Sequence, residues 1–127
     1  MGTNLDYNKT NEPRSTGDLH EAIANWVGAK RYLLPECSLT SISSEIGFKP
    51  SYINRALIQT YGTSFSKFID NLRIDYIKEI VRYSQDTEKI KLSFLASSGG
   101  FKTYVRFASA VRRRYKMCPR TFIVLLP

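Results

Sequence analysis

Apolar residues recur at helical spacing along the chain from Asp18 onward and predict about seven helices. The first helix should begin at Asp18, where Glu21 completes a capping box, and should end before Pro35. Two shorter helices are expected at residues 38–46 and 50–61, because a glycine follows each of them and glycine commonly stops a helix. No segment alternates with period two for more than a few residues, so the predicted fold class is all-α.

The longest apolar pattern predicts a fourth helix at residues 65–83, ended by the polar segment 84–87. Shorter helices should follow around Leu95, at residues 103–115 and from Pro119 to about Val124. The helices that follow the two glycine turns present apolar faces, and the residues expected to be buried on them are Ile53, Ala56, Leu57, Tyr61, Phe107, Ala110 and Val111.

An internal repeat organises this pattern. Gly47-Phe48-Lys49 and Gly100-Phe101-Lys102 lie 53 residues apart, and each stands between a short helix and a longer one. This arrangement predicts two helix-turn-helix subdomains joined by a long linker helix, which could place two recognition helices in successive major grooves. The predicted boundaries are a disordered lead-in at 1–17, a first subdomain at 18–63, the linker helix at 64–84 and a second subdomain at 85–127.

The distribution of charge indicates a partner. The chain has 19 Lys and Arg against 11 Asp and Glu, a net charge of +8, and every acidic residue lies at or before Glu88. Residues 89–127 therefore carry nine bases and no acid. Such a block favours a polyanion, most often nucleic acid, with a solvated basic face or an anionic membrane surface as the alternatives.

Candidate DNA contacts follow from the predicted helix faces. On the first recognition helix Ser51, Asn54 and Arg55 face away from the core; arginine can bind guanine and asparagine can bind adenine through paired hydrogen bonds. On the second, Thr103, Tyr104 and Arg106 lie on or near the groove side, with phosphate contact alone as the alternative. The candidate phosphate contacts are Lys49, Ser64, Lys102, Arg112, Arg113, Arg114, Lys116 and Arg120. Arg73 is expected to form a structural ion pair, for example with Glu45, rather than to bind phosphate.

Several segments together resemble the AraC/XylS family of bacterial transcription regulators over about residues 18–124. The segments that carry the resemblance are Tyr52-Ile53-Asn54-Arg55, Tyr61-Gly62-Thr63-Ser64-Phe65, Leu72-Arg73-Ile74, Leu95-Ala96, Gly100-Phe101, Phe107 and Pro119. The resemblance implies sequence-specific DNA binding and control of transcription, usually activation. It also implies base contacts at the positions of Ser51, Asn54 and Arg55.

The chain departs from the family pattern at four positions that bear on the fold. Ser43 stands where a small apolar residue is usual, and Lys116 stands where glycine is usual. Lys49 and Lys102 are expected at the caps of the two recognition helices, where they would replace Ser-like residues that cap with their side chains.

The resulting hypothesis is a cytoplasmic, non-enzymatic DNA-binding regulator that binds one duplex site as a monomer and contacts RNA polymerase, with no membrane partner. No metal or cofactor is expected, because His20 is the single histidine and the two cysteines, Cys37 and Cys118, lie far apart in the sequence. Two rivals remain: a protein-interaction adaptor or nonspecific nucleic-acid binder that kept the fold, and an RNA binder. The chain would be either a C-terminal domain cut from a longer regulator or a short stand-alone member.

Overall fold

The computed structural model describes residues 16–127, which form seven α-helices and two 3-10 turns and contain no strand. The all-α prediction is confirmed. None of the helices in this part of the chain is long and apolar enough to cross a bilayer. The helices are α1 (Thr16–Gly28), α2 (Leu39–Ile46), α3 (Pro50–Tyr61), α4 (Phe65–Arg82), α5 (Leu92–Ser98), α6 (Tyr104–Tyr115) and α7 (Pro119–Leu125), and the 3-10 turns are Arg31–Leu33 and Thr87–Lys89.

The helices fall into two compact units. The first contains α1, α2 and α3, and the second contains α4, α5, α6 and α7. The second unit also includes Tyr32–Cys37, a segment that follows α1 in the sequence. The long helix α4 thus packs as a member of the second unit, in contact with α5 and α6.

Helix α1 differs from its predicted limits at both ends. It begins at Thr16, so Asp18 lies in its first turn, and it ends at Gly28, well before Pro35. Two residues later Lys30 adopts a left-handed conformation, with a φ of 58°, which turns the chain out of the helix. Thr16 and Gly17 were expected in a disordered lead-in and are helical; the rest of that predicted segment, residues 1–15, lies outside the described residues.

The first helix-turn-helix is built from local capping. Ser38 precedes α2 and forms a capping box with Ser41, each side-chain oxygen accepting from the other residue's backbone N–H at 3.1 and 2.8 Å. Gly47 ends α2 at a φ of 80°. In the turn, the buried Ser43 hydroxyl donates to the Phe48 carbonyl at 2.6 Å. Ser43 is therefore a hydrogen-bonding residue of the turn as well as a small packing residue.

Helix α3 confirms three of its four expected core residues. Ile53, Ala56 and Leu57 are buried, but Tyr61 is 56% exposed. The prediction for Tyr61 is wrong because it is the last residue of α3 and Gly62 turns the chain away at a φ of 71°.

The second unit has a continuous apolar core contributed by all four of its helices. Phe107, Ala110 and Val111 of α6 are fully buried there, as predicted. The other buried members of this core are Ile74, Ile77, Val81, Leu95, Ala96, Phe101, Phe122 and Ile123. Burial on this scale contributes about 25 cal/mol per Å² of apolar surface and fixes α6 on its apolar side, leaving its polar side exposed.

Glu45 stabilises the first unit through Trp26. Its carboxylate accepts from the indole N–H of the buried Trp26 at 2.9 Å and from the Arg31 guanidinium at 3.2 and 3.3 Å. The hydrogen bond from Arg31 lowers the pKa of Glu45, against an opposing effect of desolvation.

A folded-state pKa below the unfolded value means that Glu45 stabilises the fold above its ordinary pKa of about 4.3 and loses that contribution as the pH falls through the lower folded value. We expect the wild type to lose stability in that acidic window and Glu45→Gln to lose less there, while being slightly less stable at pH 7. Trp26 is the single tryptophan, so its fluorescence in denaturant titrations at several pH values measures this. Parallel pH profiles for the two proteins would contradict it.

Candidate nucleic-acid interface

The N-terminal half of α3 presents polar side chains opposite its buried face. Ser51 and Arg55 are exposed and Asn54 is half-buried. Pro50 occupies the first turn, where a missing backbone N–H costs no helical hydrogen bond. Lys49 precedes the helix without a side-chain cap, as predicted, and its ammonium lies 6.0 Å from the centre of the Tyr52 ring. The predicted base-contact residues of the first unit therefore share one helical segment.

The start of α6 is the equivalent surface of the second unit. Thr103 caps the helix, its hydroxyl oxygen accepting from the Arg106 backbone N–H at 3.1 Å. The expectation that Lys102 holds this cap position is wrong, because α6 begins one residue later and a threonine supplies the cap. Tyr104 is 42% exposed and Val105 is 72% exposed, so two apolar surfaces project from the first turn.

Arg106 has partners within the second unit. Its Nε and Nη2 atoms lie 3.2 and 3.1 Å from Oδ1 of Asp70, and Nη2 also donates to the Ser66 hydroxyl at 3.0 Å. The side chain is nevertheless 46% exposed. Arg106 is thus a cation at the surface whose direction is set by α4.

The three consecutive arginines of α6 have different surroundings. Arg113 donates to Oδ2 of Asp70 at 2.9 Å, and Arg114 is paired with Asp75 at 2.9 Å and donates to the Asn71 carbonyl at 3.2 Å. Arg112 is exposed, and within residues 16–127 it forms no ion pair. Helical spacing of about 100° per residue explains the difference, since only two of the three can face α4.

The remaining candidate phosphate contacts also include both exposed residues and a residue with intramolecular partners. Lys102 and Lys116 are exposed, and Ser64 is exposed just before α4 begins. Arg120 is half-buried and donates to the carbonyls of Thr87 and Ile90 at 3.5 and 3.2 Å. Arg120 therefore ties the 3-10 turn Thr87–Lys89 to α7.

Lys116 ends α6 in a left-handed conformation, at a φ of 62°, a backbone region that glycine adopts most readily. We expect Lys116→Gly to raise the free energy of unfolding of the second unit by about 1 kcal/mol, because a non-glycine residue is strained there. The same change should weaken DNA binding a few-fold by removing one cation. Lys102→Ala is the matched control, expected to weaken binding similarly without stabilising the fold. Thermal melting and DNA titration separate the two effects; an unchanged melting temperature for Lys116→Gly would contradict the strain argument.

Two buried charged residues on α4 were not recognised as buried from the sequence. Asp70 is 1% exposed and Arg73 is 4% exposed. Arg73 donates to the carbonyls of Tyr32 and Leu34 at 2.8 and 2.9 Å, so the expected ion pair with Glu45 is wrong. Burial lowers the pKa of Arg73, although an arginine stays protonated at neutral pH. The one available signal was that both residues interrupt the apolar stripe of α4 at helical spacing.

The structure contains two turns with a left-handed glycine, Gly47 in one and Gly100 in the other, and a helix with an exposed polar face follows each turn. This arrangement defines a helix-turn-helix protein. The family described as a helix-turn-helix domain matches residues 42–123. The chain belongs to this family, in its AraC-type form, and the resemblance inferred from the sequence is confirmed. AraC-type helix-turn-helix domains bind double-stranded DNA. No curated protein matches the chain.

Solved structures share the fold at low sequence identity. The C-terminal domain of AraT, a response regulator from Geobacillus stearothermophilus, is 18% identical with a TM-score of 0.69, covering 88% of each chain. An AraC-type transcriptional regulator from Chromobacterium violaceum is 20% identical with a TM-score of 0.64, covering 85% of this chain and 90% of that one. The C-terminal domain of the two-component response regulator yesN from Fusobacterium nucleatum is 17% identical with a TM-score of 0.68, covering 82% of this chain and 96% of that one.

Proposed function

We propose that this chain binds one asymmetric double-stranded DNA site in a sequence-specific manner, with α3 and α6 in successive major grooves, and regulates transcription from there. The observation that carries the proposal is the composition of α6 and its flanks. The start of this helix is exposed, and residues 89–127 around it contain nine bases and no acid. A helix of this kind after a glycine turn suits a groove lined by phosphates.

In the first unit, Ser51, Asn54 and Arg55 contact bases. Arg55 is exposed on α3 and carries the planar donor pair that matches O6 and N7 of guanine. Asn54 and Ser51 lie beside it on the same N-terminal half of the helix, which is the part that reaches base edges in helix-turn-helix complexes.

In the second unit, base contact comes chiefly from Thr103, Tyr104 and the neighbouring Val105. The exposed Val105 side chain suits the methyl group of thymine, the apolar feature of the major groove. The Tyr104 ring meets Phe107 edge-on, with 5.9 Å between ring centres, a contact that favours one direction of the exposed ring. Arg106 contributes a donor beside these two residues.

Phosphate contacts come first from the exposed cations Lys49, Lys102, Arg112 and Lys116, with Ser64 donating at the start of α4. Arg113, Arg114 and Arg120 have intramolecular partners and contribute mainly positive potential. Each neutralised phosphate adds about 0.9 to the slope of log affinity against log salt, so four cations predict a slope near −4.

The proposal also covers where the chain acts, its oligomeric state on DNA and its effect on transcription. The chain acts in the cytoplasm, binds DNA as a monomer because it carries both recognition helices, and activates transcription by contacting RNA polymerase. It has no enzymatic activity. Family membership supports the DNA-binding part of this role, since AraC-type helix-turn-helix domains bind double-stranded DNA.

Selection of bound duplexes from a random library, at near-physiological salt, tests the proposal. We expect one enriched asymmetric motif with two patches about 10 base pairs apart, since successive major grooves recur at that distance. A single patch would limit base recognition to one unit. No enrichment, with binding that disappears as salt rises, would overturn the claim of sequence specificity and favour a nonspecific binder. Absence of DNA binding at any salt would favour an adaptor.

A further inference from the structure

We infer that Asp70 is a positioning residue for DNA recognition, which fixes the Arg106 and Arg113 guanidinium groups on the surface of α6. The inference rests on the proposed function and adds a specificity-determining residue to it. Asp70 itself is too deeply buried to touch DNA. It acts through the two arginines.

The geometry is that of one carboxylate holding two cations. Oδ1 of Asp70 lies 3.2 Å from Nε and 3.1 Å from Nη2 of Arg106, and Oδ2 accepts from Nη2 of Arg113 at 2.9 Å. The two arginines are seven residues apart, which places them two helical turns apart on one side of α6. Asp70 therefore fixes that side of the helix at two points.

Burial makes this arrangement obligatory rather than incidental. The Asp70 side chain is 1% exposed, and a buried carboxylate is tolerated only when paired and hydrogen-bonded. The guanidinium groups that satisfy it remain 46% and 39% exposed. Since two cations meet one anion, the cluster keeps a net positive charge at the surface.

The donors left over point to the function. Within residues 16–127 the Nη1 groups of Arg106 and Arg113 have no hydrogen-bond partner, whereas Asp70 accepts from Nε of Arg106 and from Nη2 of Arg113. Ser66 also accepts from Nη2 of Arg106 and restrains it further. Arg106 thus offers oriented donors beside Tyr104 and Val105. Orientation before binding reduces the entropy lost when a flexible side chain is immobilised on its target.

The test compares Asp70→Asn with Asp75→Asn. Both changes remove one negative charge next to an α6 arginine, but Asp75 is 53% exposed and, among residues 16–127, forms an ion pair with Arg114 alone. Both variants should bind nonspecific DNA slightly more tightly and with a steeper salt dependence. Only Asp70→Asn should lower the ratio of specific to nonspecific affinity, by about tenfold, because Arg106 loses its fixed direction.

Arg106→Lys provides a second route if Asp70→Asn folds poorly. Lysine keeps the charge but lacks the Nε contact with Asp70, so the specificity ratio should again fall about tenfold while the salt dependence is unchanged. The loss of specificity in the double variant should be smaller than the sum of the two single losses, because both changes remove the same interaction between Asp70 and Arg106. The Arg106 Nε–H signal in ¹⁵N NMR gives an independent readout, with faster exchange expected in Asp70→Asn than in Asp75→Asn.

The outcomes separate the inference from the proposed function. If the wild type selects a motif and Asp70→Asn keeps the specificity ratio of Asp75→Asn, the positioning role is overturned and the proposed function stands. If the wild type selects no motif, the proposed function fails and the role of Asp70 in recognition fails with it. If the wild type selects a motif and only Asp70→Asn and Arg106→Lys lower the specificity ratio, the positioning role of Asp70 is established.

Discussion

Gly100→Ala should destabilise the second unit by about 2–5 kcal/mol, a large part of the roughly 5–15 kcal/mol that a domain has in total. Gly100 has a φ of 88°, and a side chain in this region costs about 1–2 kcal/mol. A Cβ atom would also lie 2.6 Å from the Leu33 carbonyl oxygen and 2.8 Å from its Cα, which adds about 1–3 kcal/mol of overpacking.

The neighbouring backbone cannot easily move away from that atom. The carbonyls of Tyr32 and Leu34, on either side of Leu33, both accept hydrogen bonds from the buried Arg73. Gly100 itself belongs to the turn after α5, where its N–H donates to Ser97 at 3.0 Å and the next N–H donates to Ala96 at 3.0 Å. Retreat of either segment would break buried hydrogen bonds.

Two other glycines provide graded controls for this prediction. Gly62 has a φ of 71° but open space around the added Cβ, so Gly62→Ala should cost only the strain of about 1–2 kcal/mol. Gly28 lacks both the positive φ and the clash, and Gly28→Ala should be neutral or stabilise by up to about 1 kcal/mol. Denaturant unfolding followed by circular dichroism measures the series. A Gly100→Ala cost no greater than that of Gly62→Ala would show that the contact with Leu33 is relieved cheaply.

Arg55→Ala should reduce affinity for the selected duplex by about 10- to 100-fold and relax the preference at one base pair, since a bidentate arginine–guanine contact discriminates by about 1–3 kcal/mol. Arg55 is exposed on α3, so its removal should leave thermal stability nearly unchanged. Fluorescence anisotropy with the selected duplex and single-base variants of it, at several salt concentrations, measures both effects.

Arg112→Ala is the matched control for Arg55→Ala. It removes an exposed arginine from α6, and we expect affinity to fall equally for all duplexes and the salt slope to fall by about one. If Arg55→Ala gives this same uniform pattern, Arg55 contacts phosphate and base recognition in the first unit lies with Asn54 or Ser51.

The repeated pattern of the sequence was sufficient to predict the helix-turn-helix architecture. Gly47 and Gly100 mark the turns because both require a left-handed backbone, and the apolar faces of α3 and α6 follow from local spacing. The exposed segments of both recognition helices follow from the same spacing. Helix ends were less predictable, as α1 shows: it ends at Gly28 rather than at Pro35, and the left-handed residue that follows is Lys30, a residue type that rarely adopts this conformation.

The sequence by itself determined the all-α class, the two turns and the basic segment 89–127, because each depends on residues close together in the sequence. Only the tertiary structure decided which charged side chains form ion pairs or hydrogen bonds within the protein. Asp70 meets Arg106 and Arg113, and Arg73 meets the Tyr32–Cys37 segment, across separations of 36 to 43 residues. Periodicity places all four side chains on helices but does not identify their partners, because a buried charge is stable only where the fold brings compensating groups to it.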